Sequence, residues 1–203
     1  MSPIDPHPDH QLLQRTEAGD AQAFAQLYQR HQAPLYRFAL LRSGSADTAA
    51  DIVQEVFLSL FTQRLQFDPT RGALLSFLFG VARNLMLKRE TASQRFISTP
   101  PNDEATDEDA LLIDDSPGPA EVLFANRDIE RVRQALAQLA PHYRDVLILY
   151  EMHELSYLDI AKVCQIDIGT VRSRLSRARA LMAKQLQDLS PHARQPAANE
   201  ATL

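Results

Sequence analysis

The chain has 203 residues, 45% hydrophobic and 23% charged, a composition that excludes a wholly disordered or membrane-embedded protein. Its strongly apolar stretches, such as Val146 to Tyr150 and Leu74 to Leu78, fall far short of the ~20 residues a membrane-crossing helix needs. Met1 to His10 lacks the basic-then-apolar order of a secretion signal, so a cytoplasmic protein is expected. The net charge of -5 argues against a simple nucleic-acid coat, but the acidity is concentrated in the middle of the chain, from Gln94 to Arg127. By contrast, Ile168 to Lys184 carries Arg172, Arg174, Arg177, Arg179 and Lys184 and no acid.

In chain order, Asp20 is placed to cap a helix carrying Phe24, Leu27, Tyr28, Leu35, Phe38 and Leu41, with Pro34 expected to break or bend it. Ser45 or Asp47 starts a second helix with Ile52, Val53, Val56, Phe57 and Leu60 on one side. A loop from Phe67 to Gly72 precedes a third, from about Ala73 to Arg95. The stretch around Ser98 to Asp109 and Asp114 to Pro119, rich in proline and like charge, reads as a flexible, self-repelling tether.

Beyond it, a helix is expected from about Asp128 to Leu139, and Pro141 suits the first position of the next, which carries Val146, Leu147, Leu149 and Tyr150. Ser156 is a candidate N-cap for a short helix through Ala161 and Val163, and a turn at Gln165 to Asp167 leads into the basic helix. The apolar spacing is helical throughout. The expectation is therefore an all-α protein of two small domains, a helix bundle over 10–96 and a helix-turn-helix over 122–188. An acidic flexible linker, 97–121, joins them, and 189–203 is a disordered tail.

On the basic helix Val171, Leu175, Ala178 and Met182 share one stripe, which leaves Arg172, Ser173, Ser176 and Arg177 facing away from it. Guanidinium groups bridge guanine acceptors or phosphate oxygens, and serine hydroxyls adapt to either, so this acid-free face suits a DNA major groove. Thr170 and the helix N-terminus add backbone amides for a phosphate. Cys164, the one cysteine, lies among apolar residues and reads as core, while His153 and Glu154 read as surface residues of a loop. The six histidines are scattered and no phosphate loop or nucleophile motif is present, so an enzyme is the weakest reading and no cofactor or metal is expected.

The stretch from Glu154 to Arg179, and above all Gly169-Thr-Val-Arg-Ser-Arg-Leu-Ser-Arg-Ala-Arg179, resembles region four of sigma-70 family RNA polymerase sigma factors, especially their extracytoplasmic-function class. The resemblance implies that Arg172, Ser173, Ser176 and Arg177 meet the promoter's minus-35 element, beside the phosphate site at Thr170. Independently, Asp51-Ile-Val-Gln-Glu-Val-Phe57 is similar to the polymerase-binding helix of the family's second region, and Asp51, Gln54, Glu55 and Leu58 share one side at helical spacing. The third helix, from Phe77 to Arg89, is similar to the segment that captures the minus-10 element, which implies a role for Asn84, with Arg83, Lys88 and Arg89 as phosphate contacts. Phe77 stands where the family commonly has tryptophan and Lys88 where it commonly has an acid; Phe77 and Phe79 read equally as core.

The resemblance implies a transcription initiation factor whose partners are core RNA polymerase, promoter DNA and an anti-sigma factor. Two other classes fit parts of the sequence: a sigma-like mimic that titrates an anti-sigma factor, which the intact arginines oppose, and an autonomous helix-turn-helix repressor, which leaves the first domain without a role.

Overall fold

The structure is a computed structural model that describes residues 8–96 and 119–188; among these there are helices and no strand. The acidic linker up to 118 and the tail from 189 lie outside the described residues. The N-terminal unit consists of α1 (Asp9–Glu17), α2 (Ala21–Ser43), α3 (Ala46–Phe61) and α4 (Leu74–Phe96). The C-terminal unit consists of α5 (Pro119–Gln138), α6 (Pro141–Glu151), α7 (Tyr157–Cys164) and α8 (Ile168–Asp188).

The helix starts follow from side chains that satisfy the first free amides. Asp20 accepts from Gln22 N and Ala23 N at 2.9 and 3.1 Å, and these amide bonds, with the Arg15 guanidinium, hold its carboxyl below the usual range. Ser45, rather than Asp47, caps α3 through Thr48 N at 3.2 Å. α2 ends on Gly44, whose φ of +74° is the left-handed turn that glycine adopts without strain. Asp68 caps the short 3-10 turn Pro69–Arg71 between α3 and α4.

Three expectations need correction. Of the break or bend expected at Pro34, the break does not occur: α2 runs as one helix from Ala21 to Ser43, with the turns on either side packed through Leu27, Leu35 and Phe38. α1 had no place in the sequence reading, yet Leu12 and Leu13 are buried against the bundle and Asp9 reaches Arg30 at 2.5 Å and His31 at 2.9 Å. α5 begins at Pro119 rather than near Asp128, inside the stretch expected to be linker, because Pro119 suits a first helical position and a run without a further glycine or proline follows it.

The core of the N-terminal unit is built from Leu27, Leu35, Phe38, Ile52, Val56, Leu78 and Phe79, and that of the C-terminal unit from Leu139, Val146, Leu149, Ile160, Val171 and Leu175. These belong to one contiguous apolar cluster, because α4 packs on α7 and α2 packs on α5 and α6. His153 lies in this seam. Its ring sits 4.6 Å from that of Phe79 and 6.2 Å from that of Phe38, so it is half-buried between the two units and not the loop surface residue its sequence context suggested.

Candidate nucleic-acid and polymerase interfaces

The C-terminal site is built from α7, a tight turn and α8. Ser156 Oγ accepts from Asp159 N at 3.1 Å and donates to the Asp159 carboxylate at 2.6 Å, which starts α7. Gln165 then takes the left-handed conformation, φ +56°, and the Ile166 N–H donates to the Ala161 carbonyl at 3.0 Å, so the chain reverses within three residues. α8 opens at once, its first bond running from Val171 N to Asp167 O at 3.0 Å.

Val171, Leu175 and Ala178 are buried against α6 and α7, which locks the rotation of α8. As a result Arg172, Ser173, Ser176 and Arg177 are all exposed, and Thr170 is half-buried at the first turn. Arg179, by contrast, is held by Glu151 at 2.7 Å and lies over the Tyr150 ring at 5.0 Å, which ties it to the domain. The exposed face of α8 therefore presents cations and hydroxyls with no carboxylate among them, the Ser173 hydroxyl donating to the Thr170 carbonyl at 3.0 Å.

The second site is the outer side of α3. Asp51, Gln54 and Leu58 are exposed and Glu55 is partly so, in one row along the helix. The row borders a groove of about 970 Å³ between α2 and α3, lined among others by Phe24, Tyr28, Tyr36, Phe57, Leu58 and Phe61. Leu58 and Phe61 are more than half exposed. Helical spacing on α3 led to Leu58 but stopped short of Phe61, three residues further along the same helix, and it missed Tyr28 of α2, which joins the surface only through the pairing of α2 with α3.

The third site is α4. Lys88 and Arg89 are exposed, and Arg89 is drawn to the docking row, donating to Asp51 at 3.3 Å and Glu55 at 3.1 Å. Asn84 lines a cleft of about 670 Å³ between α4 and α7, together with Phe67, Phe77, Lys162 and Gln165. Arg83 turns elsewhere: its side chain is 11% exposed and its Nε donates to the buried Asp145 of α6 at 2.7 Å. The alternatives for the two aromatics divide, Phe79 being wholly buried and Phe77 half-buried with its ring 5.6 Å from Phe67.

Comparison with known proteins bears on both units. The family model for Sigma-70 region 2 matches residues 27–96 and that for Sigma-70 region 4 matches 129–182. The RNA polymerase sigma-H factor of Pseudomonas aeruginosa is 33% identical over 189 residues, which span 89% of this chain and 95% of that protein. The chain belongs to the sigma-70 family, in its extracytoplasmic-function class. The ECF RNA polymerase sigma-E factor of Haemophilus influenzae is similarly 32% identical, over 89% of this chain and 96% of that protein.

Among solved structures, the sigma factor RpoE of Bartonella quintana, in complex with the anti-sigma factor NepR, shares the fold with a TM-score of 0.67 at 24% identity, over 84% of this chain and all of that one. CnrH, in complex with the cytosolic domain of CnrY, does so with a TM-score of 0.63 at 24% identity, over 90% and 99%. As a sigma factor the protein gives RNA polymerase its promoter specificity in transcription initiation; sigma factors are not themselves catalysts. No helix of the described residues is long and apolar enough to cross a membrane.

Proposed function

We propose that the C-terminal unit of this sigma factor reads the minus-35 element with α8 and that the N-terminal unit docks on core polymerase with α3 and captures the minus-10 element with α4. The observation that carries the reading is the exposed, acid-free face of Arg172, Ser173, Ser176 and Arg177, on a helix whose opposite stripe is buried. Thr170 supplies a hydroxyl at the helix start, where the first amides favour a phosphate.

On α3, the row Asp51, Gln54, Glu55 and Leu58 gives the polar edge of the polymerase contact, and the groove beside it, with Tyr28 and Phe61, its apolar part. An amphipathic helix pair suits such a surface, since apolar anchors seat in the groove while cations meet the carboxylates. On α4, Asn84 hydrogen-bonds an unstacked minus-10 base, with Phe77 as the adjacent aromatic face and Arg83, Lys88 and Arg89 holding the backbone. The acidic segment between the units works beside these surfaces as a linker. The protein acts in the cytoplasm, where polymerase and promoters are, and an anti-sigma factor controls it, as the complexes of its structural relatives suggest.

The test is promoter opening by reconstituted holoenzyme, followed with a fluorescent base at the minus-10 element. Arg172→Ala and Arg177→Ala should weaken promoter binding, and Asn84→Ala should slow opening with binding retained. Opening at the wild-type rate in Asn84→Ala would remove α4 from the minus-10 role.

A further inference from the structure

Asp145 belongs to α6 of the C-terminal unit, yet its carboxylate is taken by two arginines of the N-terminal unit. The residue is 1% exposed; Arg42 Nε donates to one oxygen and Arg83 Nε to the other, the latter at 2.7 Å. Arg42 gives its two terminal nitrogens to Glu90 at 2.5 and 3.0 Å, and its carbonyl accepts from Arg144 Nη1 at 2.7 Å. Nearby, Lys162 Nζ of α7 donates to the Arg71 carbonyl at 3.0 Å, and a Cβ placed on Gly80 of α4 would stand 3.9 Å from the Val163 Cα of α7. The two units are thus closed on one another through a seam at whose centre the Asp145 carboxylate is buried between two arginines.

A buried ion pair adds little net stability over a well-packed apolar pair, because desolvation offsets the Coulomb attraction; its attested value is to specify register. It has a second property here. When the units part, Arg42, Arg83 and Asp145 return to water and recover their hydration, so separation does not leave a purely greasy face on either side. That chemistry suits a contact that must open.

Opening is required by the span of the DNA. Elements named for positions about 25 base pairs apart are separated by roughly 85 Å of duplex. In the closed arrangement α4 and α7 are in direct contact, so one chain cannot place α4 on one element and α8 on the other. Residues 97–118 reach at most about 75 Å when extended, which together with the breadth of the two units covers the distance.

We infer that the Arg42–Asp145–Arg83 cluster is an interdomain latch that holds the free chain closed, covers Arg83 and the Asn84 edge of α4 with the C-terminal unit, and breaks before the two units engage the promoter. The inference rests on the assignment of α4 and α8 to the two promoter elements and names a regulation of that same site. Arg83 is the residue on which the two states compete: it serves Asp145 in the closed chain and the DNA backbone in the open one.

Closure is measured without polymerase or DNA, by energy transfer between dyes on Thr62→Cys and Ala183→Cys in a full-length Cys164→Ala background. Asp145→Asn, close in shape and without the charge, should raise the open fraction at least tenfold with unchanged helical content. In a second variant, Gly80→Cys with Val163→Cys in the same background, oxidation should lock the seam and lower promoter-directed transcription at least tenfold, with recovery on reduction. Equal transfer efficiency with and without the Asp145 charge would overturn the latch, and so would full transcription by the locked chain. A reduced, freely opening chain that initiates at no promoter would instead overturn the functional reading, and the energy transfer would still decide the latch.

Discussion

The Arg83 guanidinium and the Asp145 carboxylate, 62 residues apart in sequence, meet at 2.7 Å across the seam between the two units. The same carboxylate also binds Arg42, whose positive charge burial alone would disfavour but which the Glu90 hydrogen bonds and the Asp145 charge hold firmly in place. A residue read from sequence as a DNA-backbone contact is therefore engaged within the chain when no DNA is present.

Arg177→Ala should weaken binding to a minus-35 duplex by about 1–3 kcal/mol and leave the melting temperature unchanged, because the side chain is exposed and makes no packing contribution. Fluorescence anisotropy on the cognate and single-substituted duplexes checks this. Loss confined to one base position assigns a base-edge contact, and uniform loss assigns a phosphate.

Glu55→Lys should reduce core polymerase affinity while the affinity of α8 for minus-35 DNA is retained. The substitution also removes the Arg89 contact at 3.1 Å, but an exposed pair of this kind is worth no more than ~1 kcal/mol to folding. Surface plasmon resonance against immobilised polymerase separates the two effects, and unaltered affinity would remove α3 from the docking role.

Phe79→Ala should cost about 3–5 kcal/mol of stability, since the ring is fully buried between Phe38 and His153. Phe77→Ala, at a half-buried position beside Phe67, should cost less and show its main effect in promoter opening. Denaturant melts of the two variants, compared with their opening rates, distinguish a core aromatic from one that serves DNA.

Acid should loosen the seam. Burial against Phe38 and Phe79, and secondarily the charge of Arg37, lowers the pKa of His153 from 6.5 to about 4. The closed state thus binds fewer protons than the open or unfolded one between these values. Its contribution to stability is complete above about pH 6.5 and is lost progressively as pH falls toward 4, by at most about 3 kcal/mol. His153→Gln should flatten this dependence in a pH series of thermal melts, and an unchanged slope would contradict it.

The helix-turn-helix was legible because its determinants are local. Ser156, Pro141, the turn at Gln165 and the stripe of Val171, Leu175 and Ala178 each act within a few residues of themselves, and each stands where the local pattern placed it. The start of α5 was missed because the acidic composition just before Pro119 masked a short run of helix-forming residues, and α1 because two adjacent leucines make a weak period. The partners of Arg83 and the environment of His153 had no local signal at all. Both depend on how one unit is set against the other, which the apolar spacing within either unit does not encode. The groove beside Leu58 was half visible for the same reason, its α3 side following from periodicity and its α2 side from tertiary pairing.

The central claim, that this sigma factor recruits polymerase to a two-part promoter through α8 and α4, is tested most directly by reconstituted transcription. Purified full-length protein and bacterial core polymerase would be given a randomised promoter library and the initiating sequences read out. Paired upstream and start-proximal elements at a fixed spacing, with the upstream preference altered by Arg177→Ala and the start-proximal one by Asn84→Ala, are the predicted result. Initiation at sequences with no paired elements, or none above core polymerase alone, would contradict it.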